Sequence, residues 1–162
     1  MQHLLSLNIM HTKHIIAIFV LFLYQHAWGQ TFCLTMDNAQ IINNGTEYQF
    51  DISISGSSIF KLGSSNLQFG FNTSGLSTPT IVSHSLTPLI YNVPTMTLPV
   101  AGQASFNIQL NVPTLGITIN TTNTWLATVK FTITNPALTS NLVWSYDGGT
   151  TQTVVYNDPQ PA

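Results

Sequence analysis

Hydrophobic and polar residues alternate with a period of two over three long stretches of this chain. In 47–55, Tyr48, Phe50, Ile52 and Ile54 share one face, and Glu47, Gln49, Asp51 and Ser53 share the other. In 104–112, Phe106, Ile108, Leu110 and Val112 oppose Ser105, Asn107, Gln109 and Asn111. In 125–134, Trp125, Ala127, Val129, Phe131 and Ile133 form an apolar row, with Leu126, Thr128, Lys130, Thr132 and Thr134 opposite. Successive strand side chains point to opposite faces, so each stretch predicts a strand dry on one side and wet on the other. Antiparallel sheets allow that arrangement. Shorter candidate strands lie at 31–36, 67–71, 80–85, 95–98, 117–119, 142–146 and 152–156. Turn-forming groups separate them: Asn43-Asn44-Gly45, Gly63-Ser64-Ser65, Ser74-Gly75, Ala101-Gly102, Asn135-Pro136 and Asp147-Gly148-Gly149. The last group lies between two candidate strands and predicts a hairpin turn. No amphipathic helical pattern of useful length interrupts the series. The expected fold is all-β: a two-sheet antiparallel β-sandwich of about nine or ten strands with jelly-roll or Greek-key connections.

The first 29 residues follow a different rule. Lys13 and His14 precede a ten-residue apolar run from Ile15 to Tyr24, and Ala27-Trp28-Gly29 supplies small residues at a cleavage site before Gln30. This is the pattern of an export signal. The run is shorter than the roughly 20 residues a membrane-crossing helix needs. A signal peptide at 1–29, one domain at 30–158 and a proline-punctuated linker start at 159–162 are the expected organisation. Localisation is then exported, either secreted or at the cell surface, with no membrane association after signal removal. Cys33 does not follow the cleavage site directly, as a lipid-anchored cysteine would. A half-buried strand cysteine is expected instead.

Composition narrows the function. Of 162 residues, 5% are charged and 44% hydrophobic, against a usual charged share of about 25%. Solubility rests on Thr, Ser, Asn and Gln. Disorder is excluded, because disordered chains combine low hydrophobicity with high net charge. Only three residues are Lys or Arg, too few for a nucleic-acid partner. A single cysteine excludes cysteine-based zinc sites and a disulfide framework.

The candidate chemistry is sparse. Four of the five histidines (His3, His11, His14, His26) lie in the leader, leaving His84 as the base of any serine triad. No G-x-S-x-G turn surrounds a serine. Glu47 and Asp51 share a strand face, but four residues of rise separate them by about 13 Å, beyond the spacing of glycosidase carboxyl pairs. Asp37, Asn38, Asn157 and Asp158 carry oxygens of the type calcium takes. They lack the alternating acidic spacing of dedicated calcium loops, and turn capping explains such residues equally. No catalytic residue, metal ligand or cofactor is assigned, and the chain is expected not to be an enzyme. Trp125, Trp144 and Tyr146, with Tyr91 and Tyr156 nearby in type, could stack sugar rings or could pack the core. Three Asn-x-Ser/Thr triplets begin at Asn44, Asn72 and Asn120, and they matter only in a host that glycosylates.

Several segments resemble a known family. These are Tyr48-Gln-Phe-Asp-Ile-Ser-Ile54, Phe60-Lys-Leu-Gly-Ser-Ser-Asn-Leu-Gln-Phe-Gly-Phe-Asn72, Leu76-Ser-Thr-Pro79, Trp125-Leu-Ala-Thr-Val-Lys-Phe-Thr-Ile133 and Val154-Val-Tyr-Asn157. Together they resemble the N-terminal cohesin-like modules of exported Bacteroidetes surface proteins, over nearly all of 31–158. The resemblance implies a jelly roll of the cohesin and carbohydrate-binding-module kind. It also implies adhesion or scaffolding rather than catalysis, in proteins of which many use type IX export. No sorting domain follows in this sequence, and no dockerin-like calcium loop is present. The matched positions are core and turn positions, so the resemblance transfers no binding residue.

Two expectations follow. The first is a non-catalytic exported interaction module, with a protein partner or surface polysaccharide meeting a flat polar sheet face. It could stand alone or as part of a longer multidomain protein. The alternative is a carbohydrate-binding module built on Trp125, Trp144 or Tyr146.

Overall fold

The computed structural model describes residues 31–145 and 153–158. The expected signal at 1–29, the ring of Tyr146, the predicted turn at 147–149 and the linker start at 159–162 fall outside the described residues. Within them the strands run β1 (Phe32–Ile42), β2 (Glu47–Gly56), β3 (Phe60–Lys61), β4 (Ser65–Gly70), β5 (Thr80–His84), β6 (Thr95–Thr97), β7 (Gln103–Ile108), β8 (Thr118–Ile119), β9 (Thr124–Thr132) and β10 (Val143–Trp144). Every strand pair is antiparallel. The first sheet has the order β1-β2-β9-β5, the second β10-β4-β7-β6, and β3 pairs with β8 in a small third sheet. Of these neighbours, β1–β2 and β6–β7 are consecutive in sequence. The remaining pairings require the chain to cross between sheets, which gives the expected Greek-key character.

The alternating rows meet between the two large sheets. Phe50, Ile52 and Ile54 of β2, with Val129 and Phe131 of β9, share one core with Leu67 and Phe69 of β4 and with Ala104, Phe106 and Ile108 of β7. Phe50 spans the layers: it meets Phe69 edge-on at 5.6 Å and stacks on Phe131 at 6.2 Å. Burying each such side chain contributes about 1.5–3 kcal/mol. Ordering the backbone consumes most of the total.

Strict alternation fails at three places. Along β9, Ile52 pairs with Ala127 but Ser53 pairs with Trp125, so Leu126 is an extra residue in the ladder. This bulge resets the facing of the strand's start. Leu126, expected on the polar side, is fully buried, and Trp125, expected in the core row, is 38% exposed. The row in 104–112 also ends early. β7 stops at Ile108, Leu110 forms only an isolated bridge to Tyr91, and Val112 is exposed. β1, expected to end near Met36, continues to Ile42 past an irregularity between Asp37 and Gln40, where Asn38 takes φ 52°.

Three smaller expectations are also corrected. Cys33 is exposed rather than half-buried, because β1 lies at the edge of its sheet and Cys33 pairs with Ser55 on the polar face. Gly63-Ser64 separates β3 from β4 as expected, but Ser65, counted with that turn, already opens β4. The described part of the 152–156 candidate forms no strand but a strap. Val154 bridges Asn66, Asn157 bridges Leu62, and the Gly63 N–H donates to the Tyr156 carbonyl at 2.7 Å.

Candidate functional site

The polar rows of β1, β2 and β9 make one continuous outer face on the first sheet. Register sets its order. Thr35, Ser53 and Trp125 lie in one cross-strand row. Asp37, Asp51, Thr128 and Ser83 form the next. Gln40, Gln49, Lys130 and Thr80 form a third. Lys130 forms an ion pair with Glu47 at 2.7 Å. The Asp51 carboxylate accepts hydrogen bonds from the Thr128 hydroxyl at 2.6 Å and the Asn38 amide at 2.8 Å. Asp37 accepts from the Thr35 hydroxyl at 2.7 Å and from Asn123 at 3.3 Å. Both carboxylates are therefore held in place by neutral donors. Among the described residues neither is in an ion pair, and the only lysine on this face is engaged by Glu47. The face thus carries two carboxylates outside any ion pair and one partly exposed indole, while Ser53 and Thr128 within its rows are buried.

Of the proposed sugar-stacking residues, the two described tryptophans are not brought together. Trp125 stands on this outer face, carried there by the bulge at Leu126. Trp144 belongs to the second sheet, half-buried and edge-on to Phe69 at 5.7 Å. Tyr146 is outside the described residues. Tyr156 is exposed on the C-terminal strap, whereas Tyr91 is 1% exposed in the core. Trp125 and Trp144 lie in different sheets and so form no joint platform.

The other candidates take structural positions. His84 pairs with Ala127 near the end of edge strand β5. Its neighbour Ser85 donates its hydroxyl to the carbonyls of Trp125 at 2.8 Å and Leu126 at 3.3 Å. That serine ties the bulge to the end of β5 through its hydroxyl. Glu47 and Asp51 are each occupied by separate partners, Lys130 and Thr128. Asp37 and Asn38 belong to the polar face. Asp158 is buried elsewhere and accepts the backbone N–H groups of Thr114 at 2.7 Å and Gly116 at 2.8 Å. The described residues contain no group of three or more His, Cys, Asp or Glu side chains placed to hold a metal.

Two functional-looking features had no signal in the periodicity. The Asp158 carboxylate organises a loop that contains Thr114 at φ 72°. At Gly116 a Cβ would fall 2.4 Å from the Leu62 carbonyl oxygen, so only glycine fits. The second feature is the Tyr91 hydroxyl. It donates to the Leu62 carbonyl and accepts the Ile117 N–H. Burial raises its pKa above the ordinary tyrosine value; the Ile117 hydrogen bond opposes that shift, and the Asp158 charge adds to it.

No family model matches the chain, and no curated protein sequence does. Among solved structures, the chain is similar to the cohesin CaCohA2, seen in a crystal structure at pH 5.5 in complex with a point variant of the dockerin CaDoc0917. The TM-score is 0.50 at 16% sequence identity, over 82% of this chain and 92% of that chain. The fold is therefore a cohesin-like β-sandwich.

Proposed function

We propose that this domain is a non-catalytic interaction module that docks a protein partner on the outer face of the β1-β2-β9-β5 sheet. The observation that carries the reading is the bulge at Leu126. It costs the ladder one regular pairing and turns a large indole out of the core onto an otherwise polar face. Indoles are favoured anchors of protein interfaces, and a ring of polar groups around one is the usual interface layout. The cohesin-like fold supports the reading, since the similar chain is found in complex with a dockerin. The carboxylates of Asp37 and Asp51, which form no ion pair among the described residues, favour a partner that brings lysine or arginine to that row.

Affinity capture on the immobilised protein, followed by titration calorimetry with the purified captured protein, tests this. The double variant Trp125→Ala, Asp51→Asn, which removes the charge but keeps an acceptor for Thr128 and Asn38, should bind at least tenfold more weakly than the parent while unfolding at a similar temperature. Equal affinity of parent and variant removes the assignment. The proposal includes export directed by residues 1–29. Secretion of the full chain from an expressing cell, with the released protein beginning at Gln30, checks that part.

A further inference from the structure

Beside the turn that joins β1 to β2 lies a cleft of about 410 Å³, within the range of small-molecule pockets, roughly 300–1,000 Å³. Ile41, Tyr48, Leu76, Ile133, Pro136 and Leu138 line it with apolar surface, and no charged residue lines it. Those walls are fixed by backbone bonds. The Asn72 amide side chain donates to the Thr139 carbonyl at 3.0 Å, and the Asn72 N–H donates to the Ser140 carbonyl at 2.9 Å. Leu76 bridges Ile133, whose N–H reaches the Thr46 carbonyl at 2.8 Å. Gly75 lets the two walls approach, since a Cβ there would come within 3.2 Å of the Leu138 Cβ.

Two features suit this cleft to a ligand. Ile41 is 64% exposed and Leu138 43% exposed, so apolar area at the cleft is left for another molecule to cover. Tyr48 and Ser140 also line it, and neither hydroxyl has a protein partner among the described residues. A fixed apolar body with a few free polar groups is the usual form of a small-ligand site. The lack of charge disfavours ionic ligands, which would lose hydration without compensation.

We propose that this cleft binds a small uncharged molecule with a compact ring or aliphatic body and one hydrogen-bonding group that meets Tyr48 or Ser140. The site is separate from the outer sheet face, so it stands or falls independently of the docking reading.

Fluorescence titration of the purified protein with N-phenyl-1-naphthylamine, a neutral apolar probe with one N–H, provides the test. We expect a saturable enhancement with one probe per chain. Leu138→Glu and Ile41→Glu each place a charge in the cleft lining, and each should weaken binding at least tenfold. Neither side chain is buried, and circular dichroism identifies which variants fold. Leu89→Ser, which removes an apolar side chain 85% exposed and absent from the cleft lining, should change the affinity less than twofold. Absence of saturation overturns the proposal, as does a folded Glu variant that binds like the parent, or an equal loss in Leu89→Ser. Amide shift mapping with the same probe should move residues 41, 48, 76, 133 and 138, and shifts confined to other residues overturn it equally.

Discussion

The Tyr91 hydroxyl donates to the carbonyl of Leu62 at 2.6 Å inside the core, and it accepts the Ile117 N–H at 2.9 Å. One phenol thus ties together two backbone segments that precede β4 and β8. Tyr91→Phe leaves both backbone groups without their partner, at a cost of about 1–3 kcal/mol. We expect a lower unfolding temperature at neutral pH with an unchanged strand content by circular dichroism.

The same residue sets an alkaline limit. Its folded pKa is raised by burial, whereas the unfolded chain titrates at about 10. Between those two values the folded state holds a proton that the unfolded state has lost, so stability falls as pH rises. The contribution is complete below about pH 10 and is lost as the pH passes the folded value. Tyr91→Phe should therefore lose less stability than the parent between pH 9 and 11, as read from denaturant midpoints. An identical slope in the two proteins would refute this assignment.

Asp158 and Thr114 make a second pair with a measurable coupling. The carboxylate holds a β-branched residue in left-handed backbone, a conformation that costs about 1–2 kcal/mol for residues other than glycine. Thr114→Gly should stabilise the domain by about 1 kcal/mol. Asp158→Ala should destabilise it by about 1–3 kcal/mol, more if the freed N–H groups stay dry. Chemical denaturation of both single variants and the double variant gives the interaction energy.

Adjacent residues on β9 should behave in opposite ways. Leu126→Ala should cost about 2–5 kcal/mol, because it empties a fully buried site. Trp125→Ala, despite removing the larger side chain, should change stability by less than about 1 kcal/mol. If the regular alternation of the sequence governed this strand, the order would be reversed, so two thermal melts distinguish the alternatives.

Most of the sandwich is legible in the residues because burial writes itself into period two wherever a strand has one dry face. Phe50, Phe106 and Phe131 fall where that period places them. The pattern breaks where the backbone, rather than the side chains, sets the geometry. Nothing in the residues 125–126 announces an extra residue in the ladder, since tryptophan and leucine are both suited to a core. β1 reads too short because Asp37-Asn38 looks like punctuation, although Asn38 merely kinks the strand. β3 escapes detection because two residues are too few to show any period. On the candidate face, the composition of the outward rows is readable in advance. Its one indole is not, and neither are the partners of Asp158 and Tyr91, which lie tens of residues away in sequence.

The strap of 153–158 has a consequence for biosynthesis. It lies alongside residues 61–66 and delivers the carboxylate that the 114–116 loop is shaped around. A ribosome makes these residues after every strand they fasten, so a nascent chain still missing them has its sheets in hand but no latch. The 114–116 loop can gain its carboxylate only once synthesis has reached Asp158, and a stop codon a few positions before it should leave a chain that cell quality control removes.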